Sequence, residues 1–72
     1  MNLGAQIGAV LENRPQGSRL SRIVRDIRNQ FPERLAQDVE QLRNSCLRLL
    51  IQMKRDGVIT KRGKRFLFPE DE

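Results

Sequence analysis

A chain of 72 residues holds one domain that buries only about 60% of the surface its unfolded form exposes, and a lone monomer of that size is marginal without a staple. One cysteine and no histidine exclude an internal disulfide and a zinc set, which leaves dimerisation as the open device. A formal net charge of +5, with no stretch long enough to span a bilayer, directs attention to nucleic acid or an acidic protein surface and away from membranes.

Leu3, Ile7, Val10 and Leu11 recur at helical spacing and predict a first helix over about residues 2–12. Gly4, Ala5, Gly8 and Ala9 make it a poor helix former, unless their small size serves a close backbone approach. The stretch Asn13-Arg14-Pro15-Gln16-Gly17-Ser18 has loop composition. Ser18 is the expected N-cap of a second helix, in which Leu20, Ile23, Val24, Ile27 and Phe31 share one arc. Arg19, Arg22, Arg25 and Arg28 follow at every third position and spiral round the polar side. They read as a solvated surface, with Arg19 and Arg22, near the helix start, as candidate phosphate contacts.

Phe31-Pro32 ends that helix, since proline belongs in the first turn of the next one. Leu35, Val39, Leu42, Cys46, Leu49 and Met53, with Leu50 beside them, predict a long third helix over about residues 33–55. The seam has coiled-coil spacing but lasts under three heptads, so packing against the first two helices is the expected use. Cys46 lies in this seam as a small core residue and not as a nucleophile.

Opposite the seam, Gln37, Gln41, Asn44, Arg48, Gln52 and Arg55 fall within a sector of about 80° at 100° per residue. Amides can pair with adenine and guanidinium with guanine, which makes Gln37, Gln41, Asn44, Arg48 and Gln52 candidate base contacts and Arg55 a phosphate contact. Asp38 and Glu40 near the helix start either repel phosphates or favour the helix dipole. Leu47 and Ile51 lie on a further side, either covered by the first helix or left as an apolar patch, a candidate dimer or partner contact.

Gly57 is placed to end the helix, Val58 and Ile59 favour extended structure, and Gly63 supplies the bend of a hairpin. Six cations lie between Lys54 and Arg65 against the single acid Asp56. Lys61, Arg62, Lys64 and Arg65 of the hairpin are therefore candidate phosphate contacts. The expected architecture is mainly α with a C-terminal β-hairpin, one domain over residues 1–68, followed by an acidic flexible tail over 69–72.

Val39-Glu40-Gln41-Leu42-Arg43, the helix exit Leu49 to Ile59 and the tip Lys61-Arg62-Gly63-Lys64-Arg65-Phe66 together resemble the winged helix-turn-helix domain of bacterial and phage transcription regulators. The resemblance implies that the third helix enters a major groove while the wing lies on phosphates or an adjacent minor groove. By matching position it places Gln41, Asn44 and Arg48 against bases and Lys61, Arg62, Lys64 and Arg65 against backbone. The predicted second and third helices are both longer than the family's usual ones.

The expected function is double-stranded-DNA binding by a small intracellular, cytoplasmic or nucleoid-associated regulator or accessory factor of phage or mobile-element type, without a cofactor. The competing expectation is a winged-helix adaptor or inhibitor that docks on a host protein through Leu47, Ile51 and the basic hairpin. Single-strand or RNA binding is poorly supported, because Phe31, Phe66 and Phe68 all have core roles and no Tyr or Trp is present. Catalysis lacks a histidine, a nucleophile-elbow serine and a phosphate-cradling glycine loop.

Overall fold

The computed structural model describes residues 2–69; the acidic residues Glu70, Asp71 and Glu72 of the expected tail lie outside them. Three helices are followed by a two-stranded antiparallel hairpin, in a winged-helix-like layout. Helix α1 runs over Leu3–Glu12, and Asn2 caps it by accepting the Ala5 N–H at 2.8 Å. Ile7, Val10 and Leu11 are its buried stripe, as the spacing predicts.

The loop that follows is pinned to the hairpin. Ser18 and Phe66 exchange backbone hydrogen bonds, each N–H donating to the other's carbonyl at 2.9 Å. Gly17 has φ +88°, and a Cβ there would lie 3.0 Å from the Phe66 carbonyl oxygen and 3.1 Å from the Arg65 and Leu67 Cβ atoms. Only glycine allows this crossing. Because Ser18 belongs to the bridge, it does not cap the second helix: Arg19 takes the N-cap position, with no side-chain capping bond. Helix α2 spans Leu20–Gln30 and buries Ile23, Val24 and Ile27.

The predicted third helix over 33–55 is two elements. A short 3-10 helix occupies Pro32–Ala36, and α3 spans Val39–Arg55. Asp38 separates them, because its extended backbone breaks the run and its carboxylate accepts the Glu40 and Gln41 amides at 2.8 and 3.2 Å. The hydrophobic seam shortens accordingly. Leu42, Cys46 and Leu50 are fully buried, whereas Leu35 and Val39 are 55% and 44% exposed. The 3-10 helix is held by polar contacts: the buried Gln6 accepts from Arg34 Nε at 2.7 Å and donates to Glu33 at 3.2 Å.

Gly57, at φ +77°, closes α3. The Val58 N–H bonds the Met53 carbonyl and the Gly57 N–H bonds that of Lys54, the paired pattern of a Schellman stop. Val58 is exposed and Ile59 buried, and the strand begins after them. Strands β1 (Thr60–Arg62) and β2 (Arg65–Leu67) pair with Lys61 opposite Phe66 and Arg62 opposite Arg65. Gly63 alone has positive φ in the two-residue turn, as a type II′ connection requires. Ile59 and Phe66 complete one core with the three helices. No helix among the described residues is long and apolar enough to cross a membrane.

Candidate nucleic-acid interface

Burial of Leu42, Cys46 and Leu50 sets the rotation of α3, and so decides what its far side presents. Gln41, Asn44, Arg48, Gln52 and Arg55 are all exposed on that side. The ridge therefore stands free of the rest of the fold. Gln37 is not part of it. It follows the 3-10 helix, is half-buried, and its Oε1 accepts from Arg34 at 3.2 Å. Helical projection failed for this residue because the helix does not extend back to it. Asp38 and Glu40 occupy the cap and first turn of α3, where a negative charge complements the helix dipole.

The wing distributes its cations to two sides. Lys61 shares a face with Phe66, and the alternation of side chains sends Arg62 and Arg65 to the other. Lys61, Phe66, Leu47, Ile51, Lys54 and Arg55 line a groove of about 340 Å³ between α3 and the hairpin. On the opposite side, Arg62, Lys64, Arg65, Arg19 and Gln16 line a concavity of about 570 Å³. An adjoining one of about 580 Å³ brings Arg65 together with Arg14, Arg19, Arg22 and Arg25 at the start of α2. Among the described residues, no carboxylate lines any of the three.

Of the candidate phosphate contacts, Arg19, Arg22, Arg62, Lys64 and Arg65 come together, and Arg55 and Lys61 meet across the separate groove. Arg25 and Arg14 join the lining at the start of α2 without standing among the candidates from the sequence. The three-residue spacing of Arg19, Arg22 and Arg25 was the available signal, since two such steps keep a side chain within about 120° on a helix. Arg14 had none, because loop residues carry no periodicity. Its guanidinium bonds the buried Asp26 at 3.2 and 3.4 Å, which holds it against α2. Arg28 is half-buried and lines none of the three concavities.

Leu47 and Ile51 are left partly open in the groove beside the wing. Cys46 is buried, and burial disfavours its thiolate by pushing the thiol from an ordinary 9.0 up to about 11, an effect only partly offset by Arg34. No family model matches the chain, and no curated protein or solved structure matches it either.

Proposed function

We propose that this chain is a small double-stranded-DNA-binding protein, a transcriptional regulator or accessory factor, with α3 against the major groove and the wing and α2 start on phosphates. The observation that carries the reading is the convergence of Arg14, Arg19, Arg22, Arg25 and Arg65 with the wing cations in one lining that, among the described residues, holds no carboxylate. Solvated surfaces intersperse both signs, whereas a surface that grips a polyanion keeps acids away. On α3, the exposed amides and guanidinium offer the donor and acceptor pairs that base edges match. Affinity would come chiefly from counterion release by the arginines and lysines, and discrimination from Gln41, Asn44, Arg48 and Gln52.

The test is a titration of labelled duplex at several salt concentrations. Replacing Arg62→Ala together with Lys64→Ala is expected to weaken binding to every sequence and to flatten the log-log salt slope by about 0.9 for each phosphate that is no longer neutralised. Full-strength binding with an unchanged slope would remove the wing from the mechanism. A selection from random duplexes completes the test: enrichment of a motif by the parent protein, and its relaxation by Arg48→Ala, is the expected result.

A further inference from the structure

We propose that the groove between α3 and the wing docks a short acidic segment of another protein, anchored by one or two apolar side chains. The two arginine-rich concavities have no aliphatic or aromatic lining beyond Pro15. This groove is built differently. Leu47, Ile51 and Phe66 supply apolar lining, and Lys54, Arg55 and Lys61 supply three cations with no acid beside them among the described residues. Ile51 keeps 46% of its surface exposed, a cost that burial against an apolar ligand would remove.

Each part of the lining selects against a different occupant. Phosphates gain nothing from leucine and isoleucine, so nucleic acid would leave the apolar part unused. A second copy docking groove to groove would bring Lys54, Arg55 and Lys61 against the same three cations, and like charges brought together oppose association. A neutral or basic segment would leave the rim unmatched. An acidic segment with an apolar residue satisfies both parts. Lys61 is already poised for it, its ammonium 5.3 Å from the centre of the Phe66 ring, within cation–π range. From there it can pair with a carboxylate while the neighbouring apolar side chain meets Ile51 and Leu47.

The inference does not rest on the duplex reading, and the test separates the two. Short random peptides displayed on phage are selected on the whole protein, and the enriched sequences are synthesised with a fluorescent label. Enrichment of peptides that combine Asp or Glu with Leu, Ile or Phe is expected. Ile51→Gln should weaken those peptides about tenfold, the loss of one apolar anchor, while Arg62→Ala with Lys64→Ala leaves them nearly unchanged. In spectra of labelled protein the peptide should shift the amides of Leu47, Ile51 and Lys61. Ile51 is exposed enough for the variant to fold, and a thermal melt verifies it. The proposal is overturned if no peptide is enriched, or if enriched peptides are purely acidic and indifferent to Ile51→Gln. Light scattering that shows a dimer dissociated by Ile51→Gln also overturns it, because a second copy then fills the groove.

Discussion

Cys46 shows how one buried side chain ties this fold to pH. Its thiol is fully enclosed, and removing it from water disfavours the thiolate. In the unfolded chain the thiol ionises near its ordinary 9.0, whereas in the folded chain it keeps its proton up to about 11. The stabilisation is fully present below pH 9 and is lost as the pH climbs toward 11. Urea unfolding should therefore show the protein losing up to about 1.4 kcal/mol per pH unit across that window, relative to Cys46→Ala followed over the same range. Parallel pH profiles for the two proteins would show that the thiol is solvated. Gln6 is the other informative residue: fully buried and polar, it joins α1 to the 3-10 helix through Glu33 and Arg34.

Among the elements, α2 carries a visible conflict between stability and charge. Helices α1 and α3 each begin with a side-chain cap, from Asn2 and Asp38, but α2 begins with Arg19 and has none. Arg19 lines both arginine-rich concavities, where a capping acid would oppose phosphate. Arg19→Asp is accordingly expected to raise stability by about 0.5–2 kcal/mol in thermal or urea unfolding while weakening duplex binding. A variant that gains stability and keeps its affinity would release Arg19 from the proposed interface. The hairpin shows a related compromise, since Arg62 and Arg65 face each other directly across the strands. Two like charges at that register are tolerable on an exposed tip.

At the scale of the molecule, the helices and the wing share a single core. Ile59 and Phe66 lie in the same buried cluster as Ile7, Ile27, Leu42 and Leu50. The wing is thus not an appendage that folds by itself, and a chain this short has little stability in reserve. Leu42→Ala, at a fully buried site of α3, should cost about 2–5 kcal/mol in urea unfolding. Circular dichroism and Cys46 thiol labelling should then report one coincident transition, shifted together. Separate midpoints for the two probes would mean that helical structure and the packing around Cys46 are lost in separate steps.

Periodicity alone located most of this architecture. The stripes of α1 and α2, the rotation of α3 and the glycines that end it and turn the hairpin follow from local chemistry, because each depends on neighbours within a few residues. The amide ridge from Gln41 to Gln52 was legible for the same reason. The break at Asp38, the removal of Gln37 to the Arg34 network and the exposure of Leu35 and Val39 were not, since a seam of correct spacing reads the same whether one helix or two elements carry it. Nor did spacing reveal that Ser18 pairs with Phe66, which moved the cap of α2 to Arg19. Residue order determined which side chains are apolar, amide or cationic on each element. Only tertiary packing decided which cations from distant segments share a concavity, because that depends on how β2 crosses the loop at Gly17 and settles against α3.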